Sequence, residues 1–312
     1  MQRIVISESM DAPAVAVLAR EFDVDYRPGL VDDAPALERA LAGAEAWIVR
    51  NRTQVRGAPL AAAGRLKVVG RLGVGLDNID LDACGARGIR VCPATGANAE
   101  SVAEYVMCLA MLLLRGAAYL STPAVAAGRW PRAMLSQGRE IAGKTLGLVG
   151  FGSIGQVTAA KARALGLAVL AHDPALPADA PAWKALGVES LALDALLAKS
   201  DVVSLHLPLV EATRGLFGAE RLSRMKKGSV LVNSARGGIV DEAALARALQ
   251  EGRLAGAALD VFTEEPLPAG SPLADAPNLI LTPHIAGVTQ ESNERVSGIV
   301  ANLVAEVLRG AP

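Results

Sequence analysis

The sequence lacks an excess of either charge: 31 basic side chains stand against 32 acidic ones, for a formal net charge of -1. That balance offers no broad attraction for nucleic acid or for an anionic membrane surface, so no nucleic-acid or membrane partner is expected and any ligand must be recognised locally. Cysteine is scarce as well. Cys84, Cys92 and Cys108 are odd in number and sit in apolar or helical contexts, which argues against a secreted disulfide framework and leaves the cytoplasm as the expected compartment. No charged segment followed by an apolar core and a cleavage site precedes the strand-like start, so no secretory signal is expected. Long hydrophobic runs are missing too. The most apolar stretch, Val102 to Leu120, is interrupted by Glu104 and Arg115 and reads as a buried helix rather than a membrane span. No repeat or low-complexity tract stands out, and no metal is expected.

What is present is length and alternation. A chain of 312 residues exceeds what one hydrophobic core usually holds, so two domains are expected. Short β-rich runs (Ile4 to Ser7, Ala46 to Val49, Leu66 to Gly70, Ile89 to Cys92) alternate with Ala-rich helical segments, which predicts a parallel sheet covered by helices. At Pro93 to Gly96 the pattern breaks into a crossover, and a long helix begins near Asn98. A second series follows, with Thr145 to Val149, Ala168 to His172, Val202 to His206, Val230 to Asn233, Ala257 to Val261 and Leu279 to Thr282. Six strands suffice for a complete dinucleotide-binding sheet. Pro177 to Pro181 reads as a surface loop. The last helical stretch, roughly Gln290 to Leu308, is too short to be a domain and is expected to return and complete the first one.

The first strand of the second series runs into Gly150-x-Gly152-x-x-Gly155 and then into an Ala-rich helix, the context that makes this glycine pattern informative. Gly150 would permit the tight turn, Gly152 would let the backbone approach a pyrophosphate, and Gly155 would let helix and strand pack closely. The amides of Ser153 and Ile154 would then face the phosphates at the helix N-terminus. The next strand ends in Asp173, about twenty residues on, where a carboxylate binds ribose hydroxyls. Pro174 and Ala175 follow it instead of a basic residue, so NAD is favoured over NADP.

Proton transfer near neutral pH usually falls to histidine, and only His172, His206 and His284 exist. His172 adjoins the ribose-binding acid, and His206 closes a strand on the adenosine side, so both read as structural or cofactor-facing. His284 follows a strand at the carboxyl edge of the sheet, beside the predicted cleft, and is the candidate acid–base. A carboxylate that holds its tautomer and favours its protonated form would help it, and Glu265 is the candidate. The substrate's carboxylate and C2 oxygen need a planar, permanently charged donor, and Arg236, just after a strand, fits. Each of these residues alone is as much at home in a surface ion pair or at a strand end; their joint order is what ties them together.

That order is Gly150-x-Gly152-x-x-Gly155, then Asn233-x-x-Arg236-Gly237, then Asp260-Val261-Phe262-x-x-Glu265-Pro266, then Pro283-His284-Ile285-Ala286-Gly287, and it closely resembles the D-2-hydroxyacid dehydrogenase family along essentially the whole chain. The resemblance implies an α/β fold of two doubly wound parallel-sheet domains: a Rossmann NAD-binding domain, 96–284, inserted into a flavodoxin-like substrate domain of 1–95 and 285–312. It implies that Arg236 binds carboxylate and carbonyl, that His284 exchanges the proton, that Glu265 supports His284 and that Asp260 contacts the nicotinamide carboxamide. It also assigns His206, Pro208, Thr213, Ala235 and Gly287 to the cofactor and packs Val102 near the nicotinamide. The segments Val49 to Val55, Gly70 to Asp80, Ala94 to Asn98 and Ser101 to Glu104 look like the substrate-side segments of the 3-phosphoglycerate dehydrogenase branch, which puts Arg50, Asn51, Val74 and Gly75 on the substrate.

Asn51 stands where Ser is common in that branch, and Arg52 where a small residue is common. With Arg50 and Arg71, Arg52 would enrich positive charge around the distal substrate group, or else face solvent. A small anionic 2-hydroxy or 2-oxo acid is therefore the expected partner, 3-phosphoglycerate first, while Asn51-Arg52-Thr53-Gln54-Val55 looks similar to sulfolactate dehydrogenases of the same family. The chain stops soon after its closing helix, so serine feedback through an appended regulatory domain is not expected. A homodimer is expected from the resemblance, through the helix from Asn98 to Leu114 and the segment that includes Trp130 to Arg132, although that helix equally suits packing within the chain. A reading of another class is an NAD(H)-sensing binding protein like the C-terminal-binding corepressors, which share the fold and the catalytic residue types. Turnover with any 2-oxo acid separates the two.

Overall fold

A computed structural model describes residues 1–116 and 118–310 of the chain. They fall into two compact units, one of Met1–Asn98 with the stretch from Val288 onward, the other Ala99–Gly287.

The first unit holds a five-stranded parallel sheet made of β1 (Arg3–Ile6), β2 (Asp23–Tyr26), β3 (Ala46–Val49), β4 (Val68–Arg71) and β5 (Arg90–Pro93), in the order β2-β1-β3-β4-β5. This is the flavodoxin-like doubly wound order. Successive side chains of a strand point to opposite faces. Ile4, Ile6, Ile48 and Val68 thus bury against the closing helix Gln290–Leu308, while Val5, Trp47, Val49 and Val69 bury with Leu37, Leu41 and Leu60 on the other face. Gly70 makes the first contact possible: a Cβ there would lie 2.7 Å from Val300 and 2.8 Å from Val304. The helix starts at Thr289, whose hydroxyl accepts from the Ser292 amide.

The second unit carries β6 (Thr145–Val149), β7 (Ala168–His172), β8 (Glu189–Ser190), β9 (Val202–Leu205), β10 (Val230–Asn233), β11 (Gly256–Leu259) and β12 (Leu279–Leu281), all parallel, in the order β12-β11-β10-β9-β6-β7-β8. The order reverses between β6 and β9, the Rossmann arrangement with one strand added at the edge. Helix Ala99–Leu114 buries ten of its residues and packs against helix Ser153–Ala164 over Leu146 and Leu148, and Val149, Val203 and Leu231 fill the opposite face.

Two strands escape the sequence pattern. The first sheet has five strands where four runs are visible, because β2 is an edge strand whose residues stay half-exposed and partly charged. The second has seven where six are visible, because β8 is only two residues long and exposed. The expected surface loop from Pro177 runs directly into a short helix, Pro181–Ala185, whose Trp183 stacks on Phe151 at 4.6 Å. Among the described residues no single helix is long and apolar enough to cross a membrane.

Candidate active site

The β6–β7 edge of the switch point carries the glycine pattern. Gly150 has φ +99, and a Cβ there would meet the His206 carbonyl oxygen at 2.3 Å; a Cβ on Gly155 would meet the Gly150 carbonyl oxygen at 2.5 Å. Both positions therefore require glycine for close backbone approach. Gly152 differs: nothing lies within 4 Å of its Cβ direction, so the open space is available to a ligand. Gly152 is also the N-cap of helix Ser153–Ala164, and no side chain caps that end. The first amides, including those of Ser153 and Ile154, are left for an acceptor, which fits a pyrophosphate. Asp173, at the end of β7, accepts from the Phe151 amide (2.7 Å) through one oxygen and from the Ala175 amide (3.0 Å) through the other. Its carboxylate thus ties the glycine turn to the end of β7, where the sequence expects a ribose.

The other two histidines are accounted for by local bonds. His172 Nδ1 lies 2.9 Å from the Leu191 carbonyl oxygen. His206 Nε2 lies 3.0 Å from the Ser204 hydroxyl, and burial pushes its imidazole down to about 4, so the ring is neutral at pH 7. Thr213 is engaged within its own turn, its hydroxyl donating to the Pro208 carbonyl at 2.7 Å. Ala235 is buried, its amide donating to Asn233 Oδ1 at 3.1 Å. Val102 is 3 % exposed inside the apolar core that includes Ala286.

At the ends of β10, β11 and β12, Arg236, Glu265 and His284 come from three successive loops of one sheet edge. Asn233 shapes the first: its Nδ2 donates to the Arg236 carbonyl at 3.0 Å, which fixes the turn that carries the guanidinium. Glu265 Oε2 lies 2.9 Å from His284 Nδ1, and its other oxygen accepts from the Phe262 amide at 3.1 Å. With Nδ1 held by the carboxylate, Nε2 is the ring nitrogen left for a reacting proton. Both side chains are about two-fifths exposed, which leaves the ring accessible to a ligand. His284 adopts φ +56, an uncommon backbone for a residue with a side chain. Asp260, 1 % exposed, accepts from the Ile285 amide (2.8 Å) and the Ala286 amide (2.7 Å). The family resemblance implies a place at the cofactor for Asp260; in the structure its two oxygens accept from the loop that bears His284.

In the first unit, Arg50 and Asn51 follow β3, and Val74 and Gly75 follow β4 in a half-buried loop. Glu8, 5 % exposed, organises the first loop: its carboxylate accepts from the amides of Arg50 (2.8 Å), Arg52 (3.1 Å) and Thr53 (3.0 Å). Asn78 holds the same loop by donating to the Arg50 and Thr53 carbonyls. The Arg50 guanidinium donates to Ser9 and Asn293; burial works to lower its ordinary value, and the Glu8 charge opposes that. Arg71 donates to the Leu72 carbonyl at 2.8 Å. Arg52 is bound to Asp32 through two hydrogen bonds, with both side chains exposed. Arg52 thus faces solvent in an ion pair, the second of the two readings that the sequence left open for it. Glu8 and Asp32 carry no motif that marks them, and their partners lie twenty or more positions away along the chain.

Comparison with known proteins adds a further line of evidence. Residues 107–286 match the family described as D-isomer specific 2-hydroxyacid dehydrogenase, NAD binding domain. The chain is 55% identical over 309 residues to the (S)-sulfolactate dehydrogenase of Chromohalobacter salexigens, covering 99% of both chains. It is 42% identical over 309 residues to the chloroplastic D-3-phosphoglycerate dehydrogenase 2 of Arabidopsis thaliana, covering 99% of this chain and 49% of that one. A solved protein from Thermus thermophilus superposes with a TM-score of 0.89 at 35% identity, covering 99% of this chain and 97% of the other.

Proposed function

Because the chain belongs to the D-isomer specific 2-hydroxyacid dehydrogenase family, an NAD-dependent family acting on CH–OH donors, we propose that its substrate is a sulfonated 2-hydroxy acid, (S)-sulfolactate, exchanged with sulfopyruvate. The observation that carries this reading is the Arg52–Asp32 pair. A phosphate monoester bears about -1.5 to -2 charges at pH 7, whereas a sulfonate bears one. A dianion would call on every cation near the substrate loop. Here the Arg52 guanidinium is turned to Asp32 in a solvent-exposed ion pair, and the Glu8 carboxylate accepts from the amide of Arg50. With Arg52 engaged by Asp32, this arrangement suits a single negative charge, in keeping with the similarity to an (S)-sulfolactate dehydrogenase over 99% of both chains.

NAD, when bound, supplies the acceptor for the C2 hydride, and the glycine turn, the amides of Ser153 and Ile154, and Asp173 would hold it. The chain's own residues handle the charge and the proton. Arg236 pairs with the substrate carboxylate and the C2 oxygen, so negative charge developing on that oxygen meets a fixed cation. His284 Nε2 takes the hydroxyl proton during oxidation and returns it during reduction. Glu265, held by the Phe262 amide, keeps the Nδ1 proton in place and fixes the orientation of the ring. Arg50 and Asn51 contact the distal anionic group.

Initial rates with NAD against both sulfolactate enantiomers and 3-phosphoglycerate test the reading. We expect kcat/KM for (S)-sulfolactate to exceed that for 3-phosphoglycerate by at least about tenfold, the equivalent of ~1.4 kcal/mol. Faster turnover of 3-phosphoglycerate would replace this reading with the phosphoglycerate one. We further propose a homodimer, supported by the apolar side chains exposed on one segment of the second unit: Leu120, Trp130 and Met134 are 59%, 76% and 74% exposed. Light scattering that gives the monomer mass would refute it.

A further inference from the structure

We propose that Tyr105 and Thr282 are positioning residues that aim Asp260, and through Asp260 the loop bearing His284, by a one-way chain of hydroxyl hydrogen bonds. The inference rests on His284 being the acid–base.

His284 is held in the left-handed region, a conformation that persists only where its surroundings over-determine it. Asp260 supplies that determination on both sides. Its carbonyl accepts from the His284 amide at 2.8 Å, and its carboxylate oxygens take the next two amides, Ile285 and Ala286. The carboxylate must itself be aimed, and a side-chain donor to it is the Thr282 hydroxyl, at 2.6 Å from Oδ1. Tyr105, reaching from helix Ala99–Leu114, hydrogen-bonds to that same hydroxyl.

The direction of the chain follows from proton counting. A carboxylate only accepts, so Thr282 spends its single proton on Asp260, and the bond between the two hydroxyls must be donated by Tyr105. Burial pushes the Tyr105 phenol up to about 12, which keeps it a donor throughout the working range. Tyr105 thus reaches the His284 loop through Thr282, with the Asp260 carboxylate itself close enough to add to the rise of the phenol. The two lie 177 positions apart in the chain, and no motif marks either one.

The test is a double-mutant cycle on the whole chain with sulfopyruvate and NADH, reading kcat and KM, NADH binding by fluorescence, and melting temperature. Thr282→Val removes the hydroxyl at nearly constant shape and should lower kcat by about 10- to 100-fold, the scale of a misaligned reacting group, while NADH affinity changes little. Tyr105→Phe should lower kcat less. Thr282→Ser should restore most of it. The double variant should be no slower than Thr282→Val alone, because both changes cut one chain. Multiplying effects, a Thr282→Ser variant as slow as Thr282→Val, or a kcat unchanged in Thr282→Val would each overturn the proposal. Should Thr282→Val fail to fold, Tyr105→Phe decides alone, and a wild-type kcat overturns the proposal. His284→Ala separates the two levels: residual full turnover removes the acid–base assignment itself, whereas an inactive His284→Ala beside fully active Tyr105→Phe and Thr282→Val removes only this inference.

Discussion

Gly237 is where the Arg236 turn passes closest to the segment that leads to Glu265, and Gly237→Ala probes that approach. A Cβ at this position would stand 1.7 Å from the Phe262 carbonyl oxygen, 2.1 Å from its carbon and 2.8 Å from the Thr263 nitrogen. All three are backbone atoms, so no side chain can swing aside. Ordinary contact begins at 3.4 Å, and the two segments would have to part by about 1.7 Å. Overpacking of this kind costs about 1–3 kcal/mol, which at this chain size lowers Tm by about 2–4 °C for each kcal/mol. The larger effect falls on turnover. The Phe262 amide is the donor that holds Glu265, so moving Phe262 away from Arg236 separates the guanidinium proposed to bind the substrate carboxylate from the Glu265–His284 pair. A displacement near 1 Å costs about 100-fold in rate. We expect kcat/KM to fall by at least that factor while NADH still quenches tryptophan fluorescence with near wild-type affinity. A Gly237→Ala protein with wild-type turnover would refute the backbone approach described here.

The remaining predictions concern cofactor choice, the substrate clamp and acid stability. Asp173→Ala should raise the NADH Kd by about 10- to 100-fold, because a charged acceptor bonded to two amides is lost, and should narrow the NAD-to-NADP ratio in kcat/KM; an unchanged ratio counts against its place at the ribose. Arg236→Lys should lose most of its kcat/KM despite keeping the charge, since an ammonium cannot replace the planar fork, with NADH binding retained; full activity would remove the bidentate role. His206 binds its proton at about 4 in the folded chain against an ordinary 6.5, so the unfolded state takes up the proton first. Stability from this group is complete above about pH 6.5 and declines as pH falls from there toward 4. His206→Asn should flatten that acid limb in urea titrations compared at pH 7 and pH 5, and an undiminished pH dependence would exclude the histidine as its source.

How much of this was legible in the sequence depends on the range of the interaction. The strands Ala46–Val49, Thr145–Val149, Ala168–His172 and Val230–Asn233 and the helix Gln290–Leu308 coincide with runs visible in the sequence, because a buried parallel strand and an amphipathic helix write their burial into consecutive residues. The edge strands Asp23–Tyr26 and Glu189–Ser190 left no such trace, since an exposed edge makes no demand for apolar side chains. The glycine pattern, the acid after the second strand, and the order of Arg236, Glu265 and His284 are local signals tied to turns of fixed geometry, so type and spacing announced them.

The sequence by itself determined the fold class, the nicotinamide cofactor and the reaction class, because each rests on short motifs whose chemistry needs particular residue types at particular spacings. Tertiary structure alone decided which charges remain available beside the loop after β3 and how the His284 loop is held. Asp32 reaches Arg52, Glu8 collects the amides of Arg50 to Thr53, and Tyr105 meets Thr282. These encounters arise from the register of parallel strands and the path of the loops between them. A hydrogen bond between residues far apart in the chain depends on where the intervening elements pack, and no local pattern in the sequence records that.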